Sequence, residues 1–231
     1  EPYIHAPSPI AFSDEYRTPR EISKDEIIEV VDAFRTAAKR AYLAGFDALE
    51  IHAAHGYLIS EFLSPITNHR TDEYGGSLEN RCRLLKEVLA AVRQEWPENK
   101  PLLMRVSAED YLPEGIHPEE MADIINQVKQ YIDIVDVSTG GVAMAPIKVF
   151  PGYQVRPAEL IKAKCGLPVI AVGLIKDPEV AEEIISNGRA DLVGLGREQF
   201  RNPNWVLNVA RDYGVEYPWP DSYKEAFEAR K

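Results

Sequence analysis

Cysteine is scarce in this chain: there are two in 231 residues, Cys82 and Cys165, far apart and both in helix-like patterns. That excludes a disulfide framework and a cysteine-built metal cluster. No run of 18 apolar residues occurs, so no membrane-spanning helix is expected, and Glu1-Pro-Tyr3 does not begin a signal peptide. A surplus of basic residues is also missing. Lys and Arg number 26 against 37 Asp and Glu, a net charge of −11, which argues against nucleic acid or an anionic membrane as a partner. Local donors can still hold an anionic small ligand inside an acidic protein. A reducing, cytoplasmic setting is the expectation. With no initiator Met, the first residue is not expected to be the natural start.

What the chain does have is an ordinary globular composition, 45% hydrophobic and 27% charged, ample for a core. No linker or low-complexity tract divides it, so residues 1–231 read as one domain. Short apolar runs at Phe46–His52, Leu102–Val106, Ile134–Ser138, Val169–Gly173 and Leu192–Gly196 predict parallel strands covered on both faces. Amphipathic segments lie between them. Ser23-Lys-Asp-Glu26 is a capping box that opens a helix to about Ala44, closed by Gly45. Ser77 caps a helix to about Trp96, and Asp177-Pro178 and Asn202-Pro203 each place a capping side chain before a helix-opening proline.

Strand and helix alternate five times, which predicts a parallel α/β architecture. A doubly wound sheet and a (β/α) barrel compete. The glycine-rich fingerprint of a dinucleotide fold is missing after the first strand. Polar residues gather instead just after strand ends, at His52, Ser107, Ser138, Gly173 and Arg197, where a barrel carries its active site. The barrel is the better reading. An eightfold barrel takes about 250 residues; only five strands are visible, so about three leading βα units are expected to be absent.

The chemistry concentrates in Ile51-His-Ala-Ala-His-Gly-Tyr57. A single histidine is usually a structural hydrogen-bonder. Here two stand three residues apart with a phenol beyond them, and Gly56 allows a sharp turn that gathers all three. Paired imidazole donors can stabilise charge developing on a ligand oxygen, and Tyr57 can act as a general acid beside it. A zinc site would need Glu61 as a third ligand at unsuitable spacing, so no metal is expected. Gly173 and Gly194-Leu-Gly196-Arg197 end two strands, and a barrel's last loops often hold phosphate on backbone N–H groups; tight turns and a surface ion pair at Arg197 are the alternative. Arg105, inside Leu102-Leu-Met-Arg-Val106, needs a partner if buried: Glu50, Asp136 or a ligand anion. Asp136 carries the same ambiguity. Residues 69–81 read as a polar loop braced by Arg70, Asp72 and Arg81, without a catalytic role.

His52-Ala-Ala-His-Gly-Tyr-Leu58, Glu61-Phe-Leu-Ser-Pro65 and Asn68-His-Arg-Thr-Asp-Glu-Tyr-Gly-Gly-Ser77 resemble the long motif of the old yellow enzyme family of flavin-dependent ene-reductases. The paired histidines are similar to its bacterial thermophilic-type branch. The likeness continues through Phe150-Pro-Gly-Tyr153, Asn187-Gly-Arg-Ala-Asp191 and Gly196-Arg197. It implies an FMN-containing (β/α)8 TIM barrel, here units four to eight, that takes hydride from NADPH and reduces the C=C bond of an α,β-unsaturated carbonyl or nitro compound. By that resemblance His52 and His55 hold the substrate oxygen, with Ala53 and Ala54 in the same substrate-binding stretch, and Tyr57 protonates the α-carbon. Arg105 stands beside the flavin ring, and Gly173, Gly196 and Arg197 at its phosphate. The resemblance also implies a homo-oligomer, with an arginine near the end, Arg230, as the candidate to reach a neighbouring subunit. Neither cysteine matches the branch's redox-tuning position. The competing expectation is a noncatalytic barrel fragment that associates with its missing segment or with itself. A dienoyl-thioester reductase on the same scaffold would carry an iron–sulfur cysteine cluster, which this sequence lacks.

Overall fold

The computed structural model describes residues 4–223; Arg230 lies outside the described residues. Two short strands, β1 (His5–Ala6) and β2 (Arg20–Glu21), pair in parallel ahead of helix α1 (Lys24–Leu43). The capping box is formed in both directions: Glu26 N–H donates to Ser23 Oγ at 3.3 Å, and Ser23 N–H donates to the Glu26 carboxylate at 2.9 Å.

Next come β3 (Leu49–Ala53), α2 (Leu58–Leu63), α3 (Leu78–Arg81), α4 (Arg83–Glu95), β4 (Leu102–Ser107), α5 (Pro118–Val128) and β5 (Ile134–Ser138). They are followed by α6 (Val155–Cys165), β6 (Val169–Ala171), α7 (Pro178–Ser186), β7 (Leu192–Val193), α8 (Arg197–Arg201) and α9 (Trp205–Asp212). Strands β3 to β7 form one parallel sheet in strict chain order. A doubly wound sheet reverses its order at a switch point, whereas a barrel never does. The sheet is therefore of the barrel type, built from successive βα units.

Period two gives the sheet two different faces. Ile51, Ala53, Met104, Val106, Val135, Val137, Val169 and Ala171 point one way and are buried. They meet the helices, where Leu84, Leu85, Val88, Leu89 and Val92 of α4 form a buried stripe. Each such side chain, once buried, contributes roughly 1.5–3 kcal/mol. The opposite face carries Glu50 and His52, then Leu103 and Arg105, then Ile134 and Asp136, then Ile170. One register row runs His52, Arg105, Asp136, Ile170, Leu192 across the whole sheet.

Several expected boundaries move. The helix opened by Ser77 is divided at Cys82 into α3 and α4, with the Ser77 hydroxyl accepting from Asn80 N–H at 3.3 Å. Asn202 follows α8 and does not open a helix; α9 starts two residues after Pro203. Among the described residues no helix is long and apolar enough to cross a membrane.

Candidate active site

The loop leaving β3 turns at His55, a non-glycine residue with φ of +62°, in a region that costs an L-residue about 1–2 kcal/mol. Two contacts hold it there. The His55 backbone N–H donates to Ser107 Oγ at 2.9 Å, while the Ser107 hydroxyl donates to the Gly140 carbonyl at 2.7 Å. Gly56 and Gly141 then let two loops meet backbone to backbone. A Cβ on Gly56 would lie 2.2 Å from the Gly141 carbonyl oxygen.

This turn gathers the three side chains singled out in the sequence. The His52 ring centroid lies 5.2 Å from that of His55 and 5.1 Å from that of Tyr57. Tyr57 is 63% exposed and therefore accessible to a ligand. His55 Nε2 is 2.7 Å from Ser138 Oγ. Burial, then the Arg105 cation, then His52, push the His55 ring down to about 4. Burial and Arg105 also lower His52. Both rings are thus held neutral near pH 7, each with a single N–H to donate. Ala53 and Ala54 are fully buried and offer no side-chain surface to a ligand; they set the spacing between the rings.

Arg105 sits beside His52 in the register row, with its Nε 3.3 Å from Asp136 Oδ2. That contact is poorly aligned: Arg105 Nε and Asp136 Oδ1 are both buried without a hydrogen-bond partner. Asp136 is pushed up by burial, which outweighs the lowering by Arg105. Glu50 is raised by burial and then by Asp136, against the pull of Arg105. Between the alternatives left open by the sequence, Asp136 is the contact partner, yet it leaves most of the guanidinium's donors unused. Among the described residues Arg105 makes no hydrogen bond, and one-third of its side chain is exposed.

A cavity of about 740 Å³ opens at this point. Its wall includes His55, Arg105, Asp136, Ser138 and Gln154 together with Gly173, Gly196 and Arg197. His52 and Tyr57 do not belong to that wall; the His52 ring joins it by contact with His55, and Tyr57 packs in turn against His52. Arg197 is exposed, and among the described residues it forms no ion pair, so its charge is available to the cavity. Arg201 also lines the cavity but is paired with Glu198 at 2.9 Å. Sequence reasoning missed Lys176, Thr139 and Gln154. Tyr153 lines the wall as well, and the Phe150-Pro-Gly-Tyr153 motif was the available signal for its neighbour Gln154.

The donor set suits a flavin mononucleotide. Arg105 offers spare donors to a carbonyl-rich ring edge, and the glycines and Arg197 offer small, cationic surroundings to a phosphate.

A sequence profile described as the NADH:flavin oxidoreductase / NADH oxidase family matches residues 3–215. An NADPH dehydrogenase of Clostridium acetobutylicum is 60% identical over 223 residues, covering 96% of this chain and 66% of that protein. An NADPH dehydrogenase of Bacillus subtilis is 49% identical, covering 97% and 66% respectively. Among solved structures, a 2-naphthoyl-CoA reductase complex superimposes with a TM-score of 0.84 at 30% identity, over 90% of this chain and 33% of that one. Morphinone reductase in complex with tetrahydroNAD gives 0.72 at 26% identity, over 95% and 62%. The chain therefore spans about two thirds of the length of the curated relatives it matches.

Proposed function

This chain belongs to the NADH:flavin oxidoreductase / NADH oxidase family, and from that premise we propose that it carries the substrate half of an NADPH-dependent, FMN-containing ene-reductase. The observation that supports this reading is the row in which His52 stands beside Arg105, over a cavity that continues to Arg197. Arg105 would hold the ring of FMN, and Gly173, Gly196 and Arg197 its phosphate. FMN, when bound, supplies a hydride that originates from NADPH.

The chain's own residues supply the rest. Neutral His52 and His55 donate hydrogen bonds to the carbonyl or nitro oxygen of an activated alkene. Those bonds strengthen as negative charge builds on that oxygen, so they favour the transition state over the bound substrate. Tyr57, beside His52, delivers a proton to the α-carbon as general acid. Arg105 gains most from a ligand that becomes anionic, because Asp136 satisfies so little of it.

The test is direct. Purified chain mixed with FMN is expected to become yellow after desalting, to bleach with NADPH and to recover its colour with an enone. A chain that retains FMN and reacts with NADPH but not with any enone or nitroalkene would remove the ene-reductase assignment.

A second reading has its own support. Among the described residues both outer strands, β3 and β7, have one sheet partner each, and apolar side chains near them are exposed, among them Leu43, Phe46 and Phe200. A chain that associates through these edges, without catalysis, would stay colourless in the same mixture and elute as an oligomer.

A further inference from the structure

We propose that Ser138 and Gln154 are positioning residues that fix the tautomer of His55, so that its ring presents an Nδ1–H to the ligand. The inference rests on the oxyanion-clamp reading and adds to it the groups that decide whether His55 donates or accepts.

A neutral imidazole has one N–H, so a ring engaged at one nitrogen shows the opposite character at the other. His55 Nε2 is engaged, 2.7 Å from Ser138 Oγ. The Gln154 amide is buried and donates from Nε2 to Ser138 Oγ at 3.0 Å and to Thr139 Oγ1 at 2.8 Å, which uses both of its hydrogens. Ser138 Oγ thus already accepts a bond, and it is itself buried. Among the described residues its only other hydrogen-bond partner is His55 Nε2. The Ser138 hydroxyl hydrogen therefore goes to Nε2, which must be the unprotonated nitrogen. The ring proton is left on Nδ1. The reverse tautomer would give Ser138 two donors and no acceptor for its own hydrogen, an uncompensated buried donor.

Position reinforces the hydrogen count. Ser107 and Ser138 are register partners on β4 and β5, and each holds a different part of His55: Ser107 its backbone N–H, Ser138 its ring. Gln154 reaches Ser138 from the loop before α6 and is packed against Gly173, where a Cβ would lie 3.2 Å from its side chain. Burial keeps the ring neutral, so its single proton stays a matter of tautomer and not of charge. Without Ser138, the ring would revert towards the Nε2–H form that imidazole side chains favour in water.

The experiment is nitrogen-15 NMR of the histidine rings in the full chain, with His55 assigned by its loss in His55→Asn, alongside titration with 4-nitrophenol as the phenolate probe. The expected wild-type spectrum shows His55 protonated at Nδ1. Ser138→Ala should move the proton wholly or partly to Nε2 and weaken 4-nitrophenol about tenfold, and Ser138→Thr, which keeps a hydroxyl, should restore both. An Nε2–H signal for wild-type His55 would overturn the proposal, whether or not any variant folds. An unchanged tautomer in folded Ser138→Ala, or one not restored by Thr, would overturn it too. If the tautomer behaves as stated but 4-nitrophenol does not bind wild type, the clamp reading fails and the tautomer assignment stands.

Discussion

Gly141 and His55 are in backbone contact: a Cβ placed on Gly141, whose φ is +100°, would sit 2.6 Å from His55 Cα. The loop after β5 thereby serves as the mould for the turn after β3. Gly141→Ala should cost of order 2–3 kcal/mol, because strain at positive φ adds to a clash with immovable backbone. Urea unfolding would read the loss. Binding of 4-nitrophenol should fall as well, since the clash displaces the residue that carries the ring; undiminished binding would show that the turn has another support.

Arg105 and Asp136 depend on each other unequally. Arg105→Met leaves a buried carboxylate with no cation, and its pKa, already raised by burial, should rise further. A carboxyl raised in the folded state keeps its favourable protonated form at low pH and loses that stability as pH rises. The variant's deficit against wild type should therefore be small near pH 4 and widen towards about pH 8. Denaturant midpoints at the two pH values would check this. A deficit independent of pH would place the charge balance elsewhere.

Tyr57→Phe separates the two halves of the proposed reaction. In FMN-loaded chain, bleaching by NADPH should keep its rate, and return of colour with an enone should slow by roughly 10²–10⁴-fold, the usual range for losing a general acid. Stopped-flow absorbance resolves both phases. Equal slowing of both would indicate that the phenol positions the ligands and does not donate a proton.

Glu61 lies half-buried in α2, and burial raises its carboxyl to about 7. Its folded pKa exceeds the ordinary value, so its contribution to stability is complete below about pH 4.5 and is lost as pH rises through 7. Glu61→Gln, neutral throughout, should match wild type near pH 4.5 and melt roughly 2–4 °C higher near pH 8. His55 works the other way in the same window, its stability falling as pH drops from 6.5 towards about 4, but it is common to both proteins and cancels in the comparison. Equal melting temperatures at pH 8 would mean that Glu61 is solvated in the folded state.

Local rules were readable wherever a single segment contained the whole cause. The capping box at Ser23 and Glu26 and the strand Ile134–Ser138 stand where their patterns place them. Strand ends were less readable, because pairing and not composition ends a strand. Phe46 was expected inside β3, yet its N–H closes the preceding helix on Ala41 at 3.2 Å and its ring is exposed. Gly173 was expected at the end of β6, yet its carbonyl accepts from Gly152, outside the ladder. The histidine and tyrosine cluster was legible because one turn holds it. The chain of contacts from Gln154 through Ser138 to His55 was not, since its members lie 16 and 83 residues apart and meet only through a loop and the sheet.

The alternating faces of the sheet have a consequence for how this chain tolerates change. On β4, Met104 is packed among helices while Arg105, its immediate neighbour, faces the cavity. Adjacent codons thus answer to different demands, one to whether the chain persists in the cell and the other to what it can do there. A library randomised over Leu102–Ser107 should sort into two populations, one defective in abundance and one abundant but altered in ligand preference, alternating position by position along the strand.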